Sequence, residues 1–180
     1  FFAYPSIYNE LPKSLIIFSG TFFSSILIVL TILDCKYFWL PKKINYGGLT
    51  LGLIFSLMVD LFHNLSQFSY FINSIFAAFI GFSFFYLLSF LGLKTFKKPV
   101  MGGGDAKLSA LLGSWLGIQG LFIAIWIAFF SASIFVIFGL LLKKIKRKQK
   151  IPFGAFLSLS GLIVWQFGNQ LFMRLIFFNI

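Results

Sequence analysis

The sequence predicts an all-α membrane protein, a polytopic bundle of about six transmembrane helices, and three observations carry that prediction. Apolar residues make up 59% of the chain, with 28 Phe among 180 residues and a mean hydropathy of +0.97, which leaves too little polar surface to clothe a soluble domain. The apolar residues fall in long continuous runs, not in the ~10-residue alternation of a lipid-exposed barrel. Lys and Arg collect between those runs, the pattern of positive-inside topology.

Taken in order, the first run, 14–33, closes at Asp34 and Lys36, and the second, 46–65, follows Lys42 and Lys43. The third, 70–93, closes at Lys94, Lys97 and Lys98. A short fourth, 105–117, follows three glycines and is separated from the fifth, 119–142, near residue 118. The sixth, 152–173, follows the basic run "KKIKRKQK". Residues 1–13, with Glu10, are expected to form an extracytoplasmic or interfacial segment. Residues 14–180 are expected to form one membrane domain, since spans of ~20 residues leave no room for a sizeable soluble one.

If the first helix runs inward, the connections 35–45, 94–104 and 143–151 share one side, and 13 of the 15 Lys and Arg residues fall there or at Lys107. The opposite connections, near 64–69 and 118, carry none. The basic side is therefore expected to face the cytoplasm, with the basic run against anionic headgroups of the bilayer. That distribution explains the net charge of +11 without nucleic acid, and no aromatic-interleaved basic groove accompanies it. Cys35 and His63 are the only residues of their types, so neither a disulfide framework nor a Cys/His zinc site can be assembled, and no cofactor is expected. Gly81, Ser83, Gly113, Ser131 and Ser133 are candidates for close helix approach. Trp39, Trp115, Trp126 and Trp165 read as interface anchors or packing groups.

Only Glu10, Asp34, Asp60 and Asp105 are acidic, and a carboxylate in a low-dielectric region is a functional candidate by default. The topology puts Asp34, at the end of the first span, and Asp105, at the start of the fourth, at one depth. Two facing carboxylates can share a proton, so that one deprotonates water while the other protonates a substrate. Asp60 and His63, three residues apart on one helix face, lie toward the outer side and read as a structural or water-facing pair. Gly102, Gly103 and Gly104 remove side chains where backbone turns or approaches a partner just before a helix N-terminus, where Asp105 suits the helix dipole. Lys107 is expected to pair with a carboxylate or with headgroups. The stretch "GGGDAKLS" does not meet the phosphate-loop pattern, because Asp and Ala separate the last glycine from lysine.

These residues resemble a known family. "GGGD" followed by "AKL" is similar to the G-x-G-D-x-K signature of the type IV prepilin peptidases, membrane-embedded aspartic proteases. "LDCKYFWLP" resembles that family's first aspartate motif, here Asp34 and Pro41, and "IPFGAFLSLSGL", with Pro152 and Gly154, resembles the stretch that opens its last helix. The resemblance runs from Asp34 to about Gly168 in the family's order. It implies that Asp34 and Asp105 are the catalytic pair, with Gly102, Gly103, Gly104, Lys107, Pro41, Pro152 and Gly154 shaping the site or binding substrate. It implies a bacterial inner-membrane enzyme that removes the leader of a prepilin or pseudopilin at the cytoplasmic face. Lys42 stands where many members have Asp, and Ala155 where proline is frequent. Methyl transfer, which accompanies an N-terminal zinc region in larger members, is not inferred from these residues. "YPSIYNELPKS" resembles a stretch joining the two parts of larger members, which suggests a remnant of a longer chain. Two other readings stand beside this one: a proton-coupled transporter using intramembrane Asp residues, and a non-catalytic pilus or secretion assembly factor.

Overall fold

The computed structural model describes residues 12–62, 69–97, 102–143 and 151–176. Glu10, His63, Lys98 and the run 144–150 lie outside the described residues. Five helical elements follow one another: α1 (Lys13–Tyr37), α2 (Lys42–Phe62), α3 (Ser69–Phe96), α4 (Gly103–Leu141) and α5 (Phe153–Ile176). There is no strand among the described residues. The first four are long and apolar enough to cross a membrane, and α5 contains a shorter apolar stretch, Phe153–Phe167. Large side chains such as Phe18, Phe76, Phe79, Phe130 and Phe138 stand exposed around the outside. An apolar surface of that extent belongs against lipid, and the protein is a multi-pass membrane protein.

The six sequence runs and the five elements agree once α4 is followed along its 39 residues. Gly117 adopts φ 66°, ψ −177°, a region open only to glycine, and the chain folds back there. A Cβ on Gly81 would meet both Ser109 Oγ and Leu121 Cδ2. Those residues are 12 positions apart and would be separated by ~18 Å in a straight helix. α4 is therefore two antiparallel arms, 103–116 and 118–141, and the break predicted near 118 is this turn.

The first arm is the centre of the bundle. It has no polar stripe facing outward, its Asp105, Ser109 and Ser114 being buried, and Leu108, Leu111, Leu112 and Leu116 are fully buried. Trp115 organises the packing: its ring stacks on Phe23 of α1 at 4.7 Å and Phe55 of α2 at 5.5 Å, and meets Trp165 of α5 edge-on at 5.9 Å. Its indole N–H, which needs a partner when buried, donates to the Gly48 carbonyl at 2.8 Å. Trp115 and Trp165 are packing groups, while Trp39 and Trp126 are exposed. Of the small residues picked out for close approach, Gly81 and Gly113 serve that purpose, whereas Ser133 faces outward.

One end of the bundle carries Lys36, Lys42, Lys43 and Lys94, all exposed. Lys36 and Lys94 lie in last helical turns, where the macrodipole favours cations. Lys42 and Lys43 open α2, where it does not, so bilayer topology is the better reason for them. Gly113 and Gly47 separate packing need from helix propensity. Gly113→Ala sets a methyl 2.6 Å from Ala77 backbone and is expected to destabilise by about 1–3 kcal/mol. Gly47→Ala meets nothing within 4 Å and is expected to be neutral or to stabilise by up to ~1 kcal/mol. Thermal unfolding of the two variants in one detergent ranks them.

Candidate active site

The lysine-bearing end of the bundle also holds two buried acids. Asp34 lies in the last turn of α1, which continues past the expected end at 33 to Tyr37. One further turn forms because Phe38, in the left-handed region at φ 51°, closes the helix by donating its N–H to the Asp34 carbonyl at 3.0 Å. The Asp34 carboxylate then reaches another element: Oδ2 accepts the N–H of Ala155 at 2.8 Å. Ala155 is the third residue of α5, and its N–H is one of the donors that a helix N-terminus leaves unpaired. Pro152, just before α5, has no N–H to leave unpaired.

Asp105 is the third residue of α4. Its N–H donates to the Gly102 carbonyl at 3.1 Å, and its Oδ2 accepts the Gly102 N–H at 3.2 Å. This is the acidic half of a capping box. Both acids are buried, at 6% and 8% exposure, so an apolar bundle holds two carboxylates, each with a backbone donor.

Gly154 brings them together. A Cβ built there would lie 2.9 Å from Asp34 Oδ2 and 3.1 Å from Asp105 Oδ1. The two oxygens are thus within about 6 Å of each other, inside the range over which carboxylates influence one another's ionisation. The missing side chain is the space the two acids share. Leu40 closes one wall: its Cδ1 lies 2.9 Å from that same Cβ position and 3.1 Å from the one on Gly104. Pro41 accepts the Asn45 N–H at 3.2 Å, the first hydrogen bond of α2, and so ends the short connection that carries Leu40 into place.

The three glycines before Asp105 are not equivalent. Gly104 is pressed against Leu40, whose Cβ would stand 3.0 Å away. Among the described residues, a Cβ on Gly103 would meet nothing within 4 Å, and one on Gly102 would make ordinary contacts to Asp105 Oδ2 at 3.6 Å and Gly104 N at 3.9 Å. Gly102 takes φ −73°, ψ 144°, extended backbone open to any residue. Of the two uses expected of this run, a turn or a close approach, the described residues show a close approach, at Gly104. Lys107 lies with its Nζ 5.5 Å from the Tyr46 ring centroid, a cation–π contact. Asp60 is at the other end of α2, where its two oxygens accept the N–H groups of Tyr70 at 3.2 Å and Phe71 at 2.7 Å, capping α3. Cys35 is exposed. No cluster of three or more His, Cys, Asp or Glu occurs among the described residues.

Sequence reasoning missed several neighbours of the site. Leu40 looks like any apolar residue in a loop, and only the fold puts it between two glycines. Asn45 falls before the expected start of the second helix at 46, but α2 begins at Lys42 and Asn45 is 0% exposed. It shares a face with Gly48 and Gly52, a spacing that becomes visible once the helix is started four residues earlier. Thr31 and Ser158, one turn inward from Asp34 and Ala155, were also unmarked; their hydroxyls are 2.7 Å apart.

Residues 21–137 match the type IV leader peptidase family. The chain is 28% identical over 154 residues to a prepilin leader peptidase/N-methyltransferase of Xanthomonas campestris pv. campestris, covering 86% of this chain and 51% of that protein. It is 30% identical over 152 residues to one of Neisseria gonorrhoeae, covering 84% and 49%. It is 33% identical over 153 residues to one of Legionella pneumophila, covering 81% and 48%. The chain spans about half the length of the curated relatives it matches. No solved structure matches it.

Asn45 offers a direct test of the packing beside the site. Both polar atoms of its amide are buried without a hydrogen-bond partner among the described residues, a state that costs about 1–3 kcal/mol. Asn45→Leu, similar in size and apolar, is expected to raise the midpoint of thermal unfolding in detergent; a lower midpoint would contradict the unpaired state.

Proposed function

This chain belongs to the type IV leader peptidase family, and on that premise we propose that it is a membrane aspartic endopeptidase. It removes the leader peptide of a type IV prepilin or pseudopilin at the cytoplasmic face of the inner membrane. One observation carries the mechanism: Asp34 and Asp105, 71 positions apart in the chain, both border the space left by Gly154. The activity for which the relatives are named supports the substrate class, and the crowding of Lys residues at the same end of the bundle supports the cytoplasmic orientation.

The chemistry follows from a pair of carboxylates that holds one proton. The ionised member takes a proton from a water molecule as its oxygen attacks the scissile carbonyl carbon. The protonated member gives its proton to the carbonyl oxygen, yielding a neutral tetrahedral diol. The acid that received the water proton passes it to the amide nitrogen. The C–N bond breaks as the other carboxylate takes a proton from a diol hydroxyl, which releases the amine and the carboxylic acid and returns the pair to one shared proton. The two titrate as a unit, so neither role belongs to one residue. Backbone donors on each side, Ala155 N–H for Asp34 and Gly102 N–H for Asp105, steady the carboxylates without adding a second charge. Fixed orientation of this kind is what makes proton transfer efficient.

Leader removal from a purified prepilin in detergent tests the reading. Asp34→Asn and Asp105→Asn are each expected to reduce cleavage by at least about 1,000-fold while the protein keeps its thermal unfolding midpoint within a few degrees. Full cleavage by both variants would end the proposal. Gly154→Ala supplies the geometric control. Its methyl enters the space shared by the acids, and the expected result is a folded protein with a large loss of activity. Gly103→Ala, which meets nothing, is expected to cleave at close to the parent rate.

A further inference from the structure

We infer that Thr31 and Ser158 are positioning residues for the Asp34 carboxylate: a hydroxyl clasp between α1 and α5, one turn inward of the acids, that sets the register at which Asp34 meets the α5 N-terminus. The inference rests on the proposed role of the acid pair and assigns the clasp no contact with substrate.

The geometry is a ladder of two rungs. The outer rung joins Asp34 to Ala155, with the N–H donating to Oδ2 at 2.8 Å. The inner rung joins Thr31 to Ser158, Oγ1 and Oγ lying 2.7 Å apart. Thr31 is three residues before Asp34 and Ser158 three residues after Ala155, so both rungs lie on the facing surfaces of two antiparallel helices. Each hydroxyl has one proton: with Thr31 Oγ1 donating to Ser158 Oγ, Ser158 Oγ donates to the Gly154 carbonyl at 2.8 Å, with the Ala155 carbonyl at 3.2 Å, and the Leu27 carbonyl, 2.8 Å from Thr31 Oγ1, is the acceptor Thr31 turns to when the clasp opens. Ser158 therefore holds the turn that contains Gly154, the residue whose missing side chain the acids share. Ser158 is fully buried. Parting the two hydroxyls would cost the one polar link between the helices at this level, while each would keep a carbonyl of its own helix as acceptor.

Leu27 and Leu30 of α1 and Leu157 of α5 are fully buried nearby, but leucine contacts are non-directional and tolerate small slides. A hydrogen bond 2.7 Å long does not. A helix slide or rotation of the order of 1 Å would preserve most of the apolar burial and still move Asp34 Oδ2 off the Ala155 N–H and away from Asp105. Displacement on that scale is enough to slow a positioned reaction by roughly 100-fold. A clasp that merely contributed to stability would change unfolding alone. One that sets the acid changes the rate at saturating substrate.

The test uses the full chain in lipid or detergent with a prepilin substrate. Thr31→Val and Ser158→Ala are each expected to lower kcat by roughly 10- to 100-fold with KM unchanged, while Thr31→Ser and Ser158→Thr, which keep a hydroxyl, restore most of the rate. The double variant Thr31→Val with Ser158→Ala is expected to be no slower than the worse single, since the two hydroxyls act as one unit. Amide hydrogen exchange at Ala155 is expected to quicken in Thr31→Val, a readout that does not depend on cleavage. Parent kcat in both Thr31→Val and Ser158→Ala, with Asp34→Asn inactive, overturns the clasp and leaves the acid pair standing. Cleavage by Asp34→Asn overturns the acid pair, and the clasp's role with it. Should one single variant fail to fold, the other reads the same rung.

Discussion

A carboxylate inside an apolar bundle must be met by donors, and the donors that this chain supplies are the N–H groups of helix N-termini. The three buried acids among the described residues are placed this way: Asp34 on Ala155 of α5, Asp60 on Tyr70 and Phe71 of α3, and Asp105 on Gly102 before its own helix. The pairing relieves two costs at once. A helix end would otherwise leave orphan N–H groups where water is scarce, and a buried acid would otherwise be unsolvated. It also decides where helices can sit, because an acid on one element caps another and so fixes their relative height.

The difference between Asp60 and the other two is one of company. Asp60 satisfies both of its oxygens on adjacent backbone amides and closes the α2–α3 connection. Asp34 is met by the N–H groups of Ala155 and Gly154 and Asp105 by that of Gly102, and the two acids share the space at Gly154. Identical residue types on equivalent helix-capping duty thus divide into a structural acid and a proposed catalytic pair, and the division is made by which helix ends converge.

Convergence depends on close packing around the first arm of α4. Gly48 and Gly52 admit Leu111, Ser114 and Trp115, Gly113 admits the Ala77 backbone, and Gly161 admits Leu112. Each approach draws another helix onto the arm that begins with Asp105. The turn at Gly117 makes this arrangement possible, since it sends the rest of α4 back along α3 and leaves the first arm surrounded. Phe85, Phe129 and Phe153, in mutual ring contact, then tie α3, the second arm of α4 and the start of α5 together next to Gly154.

Much of this was legible in the residues themselves. Long apolar runs and interspersed lysines determined a polytopic helical bundle, because hydrocarbon admits a spanning segment only if it satisfies its own backbone. The order of the Asp34, Asp105 and Gly154 stretches determined the family resemblance and singled out the acids worth watching. Local chemistry was enough for both, since helix formation and burial cost are properties of a segment and its solvent. Tertiary structure alone decided that Leu40 presses on Gly104 and not on Gly103, that Leu40 lies beside both acids, that Asn45 is sealed inside, and that Thr31 meets Ser158. Those facts depend on which atoms arrive opposite one another when helices distant in the chain pack at fixed height and rotation, and no single segment carries that information.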